Sequence, residues 1–380
     1  RGKFHDENDK IKAPKSSLEW RERMRINIKN NKTYTAEDLK HANDLANPAL
    51  DKIWEMQWLN DCIHKKDVNK INGFNEYVSN LNQIYDAILV VAGREERASI
   101  KAVTDLFETK EGCAEIVFMP LDFSVREYTA LLRKLENKKI ALLAVSIVEE
   151  SLEFRCAYSI AKHFVIAQAN KAKVSPEICV IYGKGSIIIK EDASENEYTK
   201  IELPDSVDPS YLANSDAVIL LLIFMGVDVE AYLTGFYDCV SAPEWDTHLS
   251  LMASRMLAAE GKGIIVESWQ SDYEEIAKWF ARTDIRATHK HLQMPALDFD
   301  RESLRICVAG REAYEDLMTP SFEGCDEDGS LQLLLNRERD EHFASLECEC
   351  LAIELDTNDA EDIGELVAFL QMTQSIEFLI

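Results

Sequence analysis

The sequence predicts an α/β protein built on two doubly wound parallel sheets, with an N-terminal helical extension. Asp86–Gly93 (DAILVVAG) is a continuous apolar run that ends in glycine, which is typical of a strand buried on both faces of a parallel sheet. Helical and strand-like segments alternate after it, and Gly263–Glu267 (GIIVE) begins a second series of the same kind. Because parallel strands need right-handed crossover connections, this alternation predicts doubly wound sheets.

Residues 1–84 carry a helical pattern. Residues 1–16 are charged and polar, which predicts an extended arm. Ser16 and Glu19 have the spacing of a capping box, and Thr35 and Asp38 repeat it, so two helices are expected to begin there. A helical spacing of apolar and aromatic side chains follows in Ile53, Trp54, Trp58 and Ile63.

At 380 residues the chain exceeds one ordinary core, and residues 85–240 and 241–380 are each expected to form an α/β domain. In the first, the predicted strands are Asp86–Gly93, Glu115–Met119, Ile140–Val145, Glu177–Tyr182 and an edge strand at Ser186–Lys190. Its predicted helices are Ser99–Phe107, Val125–Leu135, Leu152–Phe164 and Leu212–Met225. In the second, the predicted elements are strand Gly263–Glu267, helix Tyr273–Phe280, strand Cys350–Leu355 and amphipathic helix Asp359–Ile380. Leu304–Val308 fits either a strand or the middle of a helix.

The composition argues against several classes of partner. A net charge of −26 opposes binding to nucleic acid or to an anionic membrane, because no basic face could dominate such a field. The longest apolar run, Ala217–Val227, is shorter than the ~20 residues that a membrane-spanning helix needs. The nine cysteines show no C-x-x-C spacing and no signal peptide is visible, so we expect reduced thiols in a cytoplasmic protein. His289 and His291 have no nearby cysteine or carboxylate pair, so we expect neither a metal nor a cofactor.

Asp205–Phe236 (DSVDPSYLANSDAVILLLIFMGVDVEAYLTGF) resembles a catalytic segment of the glucose-6-phosphate isomerase family. That segment reads roughly D-D-V-G-G-R-Y-S-V-L-T-x-V-G-L-L-P-x-A-x-x-G-x-D-I-x-A-L-L-x-G-A. Without a gap, its positions are matched by Val207, Tyr211, Gly226, Asp228, Ala231 and Gly235. The family's Gly-Gly-Arg is replaced by Asp208, Pro209 and Ser210. The resemblance therefore extends to the scaffold and not to the catalytic arginine.

Four further segments resemble the same family, in the same order along the chain. They are Asp86–Gly93 (the strand before G-I-G-G-S-x-x-G), Ala144–Tyr158 (around S-K-S-G-T-T-x-E), Gly263–Phe280 and His342–Leu379. The resemblance implies a fold of two sugar-isomerase (SIS) domains. It also implies a homodimer, because members of the family pair tightly through both domains.

In that family, hydroxyl groups and the backbone amides at a helix start hold the sugar phosphate. The corresponding loop here retains Ser146, Ser151 and Glu153 but carries Glu149 and Glu150 at its centre. A carboxylate ~4 Å from a phosphate costs on the order of 4 kcal/mol at intermediate dielectric, more than the ~1 kcal/mol gained from a helix N-terminus. We therefore expect weak phosphate binding. The two glutamates also fit a structural role, as acids at the start of the next helix.

The loop after the first strand differs in a similar way. Where the family has glycines that let its backbone approach the sugar, Gly93 is followed by Arg94–Arg97 (REER). Arg94 and Arg97 are compatible with a new anion site, and the run also fits a solvated helix start of mixed charge. Gly93 and Arg94 join the three retained loop residues as candidate ligand-binding positions.

The resemblance also implies three catalytic roles, and none has a clear counterpart. The family's ring-opening histidine belongs near Leu304, in a segment (ESLRICVAG) without histidine. Its proton-moving glutamate belongs near residues 284–290 (DIRATHK), which contain none, so Asp284 and Glu302 are the weak candidates for a base. The family's lysine would follow the last long helix, at which this sequence stops. Together these differences imply that isomerase activity is lost.

Three functional hypotheses result. The first is a catalytically degenerate family member that acts as a regulatory or binding protein and binds a sugar phosphate weakly. The second is an active isomerase that interconverts glucose 6-phosphate and fructose 6-phosphate. It would use one of the two carboxylates above as its base and an anion site built from Arg94, Arg97 or Arg301. The third is a scaffold or assembly protein that makes contacts through the acidic loop Glu323–Ser330.

Overall fold

The computed structural model describes residues 26–53, 68–148, 150–205, 207–241, 251–256, 263–283, 287–291, 303–311, 318–319 and 329–379. The strands are β1 (Ile26–Asn30), β2 (Ala87–Ala92), β3 (Glu115–Phe118), β4 (Ile140–Ser146), β5 (Ile178–Tyr182), β6 (Thr199–Glu202), β7 (Ile264–Ser268), β8 (Ala287–His291), β9 (Leu304–Gly310), β10 (Met318–Thr319), β11 (Gly329–Ser330) and β12 (Cys350–Leu355). The helices are α1 (Ala36–Ile53), α2 (Val68–Asn82), α3 (Arg94–Thr104), α4 (Val125–Leu135), α5 (Leu152–Ala172), α6 (Ile188–Glu195), α7 (Asp216–Phe224), α8 (Val229–Ser241), α9 (Glu274–Thr283), α10 (Leu331–Ser345) and α11 (Ala360–Leu379).

The first sheet has the strand order β3-β2-β4-β5-β6, and every pair of neighbours is parallel. Alternate residues of β2 pack into two different cores, with Ile88 and Val90 on one face and Leu89 and Val91 on the other. This double burial explains the continuous apolar run and confirms the predicted α/β fold class. The strand order reverses between β2 and β4, and ligands of doubly wound folds bind at such a reversal, beyond the carboxyl ends of the strands.

The second sheet has the order β1-β12-β9-β7-β8. Strands β12, β9, β7 and β8 are parallel, and β1 is an antiparallel edge strand. The segment that fitted either a strand or a helix is β9, and all of its residues are buried. Its odd and even positions face different layers, with Ile306 and Val308 in one cluster and Cys307 and Ala309 in another.

The N-terminal extension is only partly helical, so the sequence prediction was wrong at Ile26–Asn30, which form β1. The strand pairs with β12, and Ile26 lies opposite Leu355. The predicted helix start at Thr35 is confirmed. The amide of Asp38 donates to Thr35 Oγ1 at 3.2 Å, and the amide of Thr35 donates to Asp38 Oδ2 at 2.8 Å. The other predicted start, Ser16–Glu19, lies outside the described residues.

The predicted edge strand Ser186–Lys190 is also wrong. Helix α6 begins there, at Ile188, and the edge strand of the first sheet is β6 instead. The three consecutive isoleucines, Ile187–Ile189, favour a strand by local propensity. A long-range contact decides otherwise, because a carboxylate from another loop accepts hydrogen bonds from the amides at this helix start.

Helices α8 and α11 cross at backbone contact. A methyl group added at Gly235 would lie 1.8 Å from the carbonyl oxygen of Glu361, and one added at Gly364 would lie 2.0 Å from the carbonyl oxygen of Tyr232. Helix α8 follows the first sheet in the chain, and α11 follows the last strand of the second sheet. Gly235, which matches a glycine of the family segment, therefore allows the two helices to pack closely.

Candidate functional site

Ser146 is the last residue of β4, and its side chain is buried at the start of the loop that follows. Ser146 is 2% exposed, and its hydroxyl donates to the carbonyl oxygen of Val148 at 3.2 Å. Its own carbonyl oxygen accepts from the amide of Gly183 at 2.9 Å and from the hydroxyl of Ser186. The hydroxyl that the family resemblance assigns to phosphate binding thus helps to hold the loop.

Glu96 is the residue that organises this loop, and sequence reasoning missed it. Its side-chain Oε1 accepts a hydrogen bond from the amide of Ile147 at 3.0 Å, and the residue is only 2% exposed. Burial raises the pKa of this carboxyl, and hydrogen bonds from its own amide and from those of Ile147 and Val148 offset part of the rise. Loop amides of the kind that hold phosphate in the family therefore face a carboxylate of the chain itself.

Gly93 makes room for that carboxylate. A methyl group added at Gly93 would lie 2.2 Å from Glu96 Oε2. Gly93 is also the N-cap of α3, and as a glycine it supplies no side-chain cap of its own. Glu96 stands three residues later, where a glutamate reaches back to its own helix start, and this spacing is the signal that could have identified it.

Glu150 accepts hydrogen bonds from a second set of backbone amides. Its Oε2 accepts from the amide of Ile187 at 3.1 Å, and its Oε1 accepts from the amide of Ile189 at 3.2 Å. We expected this glutamate to lie at the start of the next helix in sequence, which is α5. That expectation is wrong, because Glu150 caps α6, the helix that follows β5. Glu149 lies outside the described residues.

Ser151 and Glu153 form the cap of α5. The Ser151 hydroxyl oxygen accepts from the amide of Phe154 at 3.2 Å. Hydrogen bonds from the Glu153 amide and from the Ser151 hydroxyl lower the pKa of the Glu153 carboxyl, and the charge of Arg94 adds to this. Both side chains thus have structural partners, and Glu153 lies close enough to Arg94 to feel its charge.

The structure brings the five predicted ligand-binding positions to the carboxyl edge of the first sheet. Gly93 and Arg94 lie at the start of α3, after β2, and the other three lie between the last residue of β4 and the first turn of α5. Asp284 and Glu302, the candidate bases, lie outside the described residues, as does Arg301. Ser210, at the position of the family's arginine, lies in a turn. Its amide donates to Asp208 Oδ1 at 2.7 Å, and its carbonyl oxygen accepts from Trp279 Nε1 at 2.8 Å.

A cavity of about 480 Å³ lies beside this edge, between α3, the connection from β3 to α4, and α9. Arg94, Arg97 and Lys101 line it from α3, and Arg282 lines it from α9. Its acidic lining residues are Asp122, Glu127 and Glu275. Arg94 and Arg97, which the sequence indicated as compatible with an anion site, therefore both line this cavity.

Other expected features can be checked within the described ranges. No group of three histidine, cysteine or acidic residues is placed there to hold a metal ion, and no helix there is long and apolar enough to cross a membrane. His163 is exposed, and its Nδ1 lies 2.7 Å from the carbonyl oxygen of Ser159. Cys348 and Cys350 are buried free thiols.

Comparison with known proteins gives two curated relatives. No protein-family model matches the chain. A glucose-6-phosphate isomerase of Mycoplasmopsis pulmonis is 24% identical over 277 residues, which are 68% of this chain and 64% of that protein. One of Symbiobacterium thermophilum is 24% identical over 144 residues, 37% of this chain and 32% of that protein. The chain thus spans less than two thirds of the length of these relatives.

Solved structures are similar over a larger part of the chain. A hypothetical protein of Thermus thermophilus, TT0462, superposes with a TM-score of 0.77 at 16% identity, over 90% of this chain and 91% of its own. A glucose-6-phosphate isomerase of Chlamydia trachomatis superposes with a TM-score of 0.74 at 10% identity, over 93% and 84%. The chain therefore has the α/β fold of phosphosugar isomerases and a distant sequence similarity to glucose-6-phosphate isomerases.

Proposed function

We propose that the protein is a homologue of glucose-6-phosphate isomerase that has lost catalysis and acts as a binding or regulatory protein. The observation that supports the proposal most strongly is the hydrogen bond from the Ile147 amide to the buried Glu96 carboxylate. A phosphate placed on the same amide would meet this carboxylate. At ~4 Å and intermediate dielectric, each such charge pair costs on the order of 4 kcal/mol.

A second carboxylate strengthens the case. Glu150 is 8% exposed and occupies the amides at the start of α6, in the adjacent loop. The hydroxyls of Ser146 and Ser151, which the resemblance would assign to phosphate, take part in loop and helix-cap hydrogen bonds. Side chains of the protein thus supply the interactions that a sugar phosphate would otherwise supply at this edge.

The test is a coupled assay for conversion of fructose 6-phosphate to glucose 6-phosphate, with an active isomerase as the positive control. We expect no turnover above the rate without protein. Turnover would contradict the proposal unless it came from a contaminating enzyme. The variants Asp284→Asn and Glu302→Gln, purified in the same way, decide that point, because contaminating activity would be the same in all preparations.

An active isomerase is the second candidate, and the sequence similarity to two glucose-6-phosphate isomerases favours it. On this hypothesis, one of the two variants above loses turnover and identifies the base. A scaffold role remains the third candidate, with the acidic loop 323–330 as the contact surface, and it predicts neither turnover nor sugar-phosphate binding.

We further propose a cytoplasmic homodimer of chains with two α/β domains, residues 85–240 and 241–380. The seven free cysteines in the described part of the chain support a reducing compartment. The dimer rests on the family resemblance. Sedimentation equilibrium tests it directly, because a monomer mass at micromolar concentration would contradict a tight pair.

A further inference from the structure

Half of the large apolar side chains that are exposed in the described part of the chain lie at one edge of the first sheet. They lie where the connections after β3, β4 and β5 reach the next helix, and they are Phe123, Val125, Val148, Leu152, Ile187 and Ile188. Val125 is 78% exposed, so nothing in the protein covers it. Single exposed apolar residues need no explanation, but a group of them at one edge marks a surface for a partner.

These six side chains form a row, because their helices share one layer. Helices α4, α5 and α6 pack into the same core on one face of the sheet, through Tyr128, Phe154 and Ile189. The connections after β4 and β5 are also in contact, since the amide of Gly185 donates to the carbonyl oxygen of Ile147 at 3.1 Å. The strand order is β3-β2-β4-β5, and neighbouring strands lie about 4.8 Å apart. The row, named the apolar row below, therefore spans about 15 Å.

Phe123 is held at this surface by a strained backbone. Its φ is +57°, in the left-handed region that is uncommon for a bulky side chain. The turn around it is fixed, because the amide of Ser124 donates to Asp122 Oδ1 at 3.1 Å and the hydroxyl of Ser124 caps α4. Strained residues of this kind persist where their surroundings fix them, and they concentrate at functional sites.

Arginines border the apolar row, and their charge is left unpaired. Arg94 and Arg97 follow β2, which lies between β3 and β4, and Arg126 and Arg155 lie in the first turns of α4 and α5. Within the described residues, none of the four forms an ion pair. In a chain of net charge −26, such a group opposes the overall field.

The acidic side chains at the same edge are engaged at the starts of helices. Glu150 accepts from amides of α6, and Asp122 accepts from the amide two residues after it. Glu153 accepts from its own amide and from a hydroxyl of the α5 cap, and Glu127 lies in the first turn of α4. The partial positive charge of a helix N-terminus offsets part of the charge of such acids. The arginines are thus the charges that remain for a partner.

We infer that the apolar row docks an acidic segment of another protein that also carries apolar side chains. Its apolar side chains would cover Val125 and Leu152, and its carboxylates would pair with Arg94 and Arg97. The strand order favours this arrangement, because it places the basic connection after β2 between the apolar connections after β3 and β4. A span of about 15 Å corresponds to about ten residues of helix. The apolar contacts supply affinity, and the ion pairs supply the choice and orientation of the partner.

The inference rests on the proposed role as a binding protein and not on the loss of catalysis. Turnover in the coupled assay would therefore overturn the proposed function without deciding whether the apolar row binds a partner. The occupant is a foreign segment and not a second copy of this chain, because each copy brings the same net charge of −26.

The test is a selection of displayed random peptides of about twelve residues against the full chain, followed by fluorescence anisotropy of the enriched peptides. We expect the enriched peptides to combine acidic with apolar residues and to bind more weakly as salt is added. Binding should weaken about tenfold in Leu152→Gln and about fivefold in Arg97→Gln.

Each variant has a matched control with the same change of side chain. Ile160→Gln alters another exposed apolar residue of α5, two turns away from the edge, and Arg133→Gln removes an exposed charge from the last turn of α4. Both controls are expected to bind the peptides like the wild type.

Three outcomes would overturn the inference. The first is that no peptide is enriched over a selection without protein, or that the enriched peptides are basic. The second is that Leu152→Gln and Ile160→Gln weaken binding equally, which would place the peptide elsewhere. The third is that no peptide is enriched and that Leu152→Gln abolishes self-association in sedimentation, which would assign the apolar row to a second copy of the chain.

Discussion

Replacing Glu96 by alanine removes the carboxylate that holds the loop after β4. The Ile147 amide, which donates to Glu96 Oε1 at 3.0 Å, would lose its partner in a buried position. An unsatisfied buried donor costs about 1–3 kcal/mol, and a donor that loses a charged acceptor lies toward the upper end of this range. We therefore expect Glu96→Ala to lower the free energy of unfolding by roughly 2–3 kcal/mol.

The matched control is Glu95→Ala, one position earlier on the same helix. Glu95 is partly exposed, and its side chain forms an ion pair with Arg282. Exposed pairs contribute about 0.2–1 kcal/mol, so the control should cost less than about 1 kcal/mol. Thermal and denaturant unfolding of both variants are the assays. If the two variants lose the same stability, the reasoning about Glu96 and the loop is refuted.

The same carboxyl predicts a pH dependence. Because the pKa of Glu96 is raised in the folded state, the folded protein keeps this proton over a range in which the unfolded chain has lost it. This contribution to stability is present below the unfolded pKa of about 4.3 and is lost as pH rises through the folded pKa. The wild type should therefore lose stability relative to Glu96→Gln as pH rises through this window. A difference that is constant or of opposite sign would contradict the assigned direction.

Three further predictions concern the scaffold. Glu150→Ala should lower the free energy of unfolding by about 1–3 kcal/mol, because the amides at the start of α6 lose their acceptor. The amide of Ile189 should then exchange its hydrogen faster, and unchanged protection there would contradict the cap. Gly235→Ala should destabilise the protein strongly in thermal unfolding, because the new methyl would lie 1.8 Å from a backbone oxygen. Gly73, by contrast, is an exposed position of α2 with open space for a methyl group, so Gly73→Ala should stabilise by about 0.5–1 kcal/mol. Equal effects of the two glycine changes would disprove the close crossing. Thr35→Ala should lower the free energy of unfolding by about 1 kcal/mol, because α1 loses its N-cap. An unchanged free energy of unfolding in denaturant would contradict this cap.

The parts of the fold that could be predicted from the sequence are those with a strong local pattern. The apolar run at Asp86–Gly93 identified β2, because a strand that is buried on both faces is apolar at every position. β1 could not be predicted in this way, because its five residues gain their structure from β12, near the other end of the chain. Ser186–Lys190 was misread because the cap from Glu150 reverses its local preference.

The candidate site shows the same limit. Sequence reasoning found that acids had entered the loop after β4, and it assigned Glu150 to the wrong helix. It treated Glu96 as part of a solvated charged run, although this side chain is almost fully buried. The partner of a buried carboxylate depends on which loops the sheet places side by side. The strand order decides which loops are adjacent, and the spacing of charges along the chain does not indicate that order.

The most direct measurement is a crystal structure of the wild-type protein grown in a phosphate buffer, read at the loop after β4. The proposal that side chains have replaced the ligand predicts the Glu96 carboxylate on the Ile147 amide, with no phosphate bound to that loop. A phosphate on the Ile147 amide, with the Glu96 side chain displaced, would contradict it and would restore the case for an active isomerase.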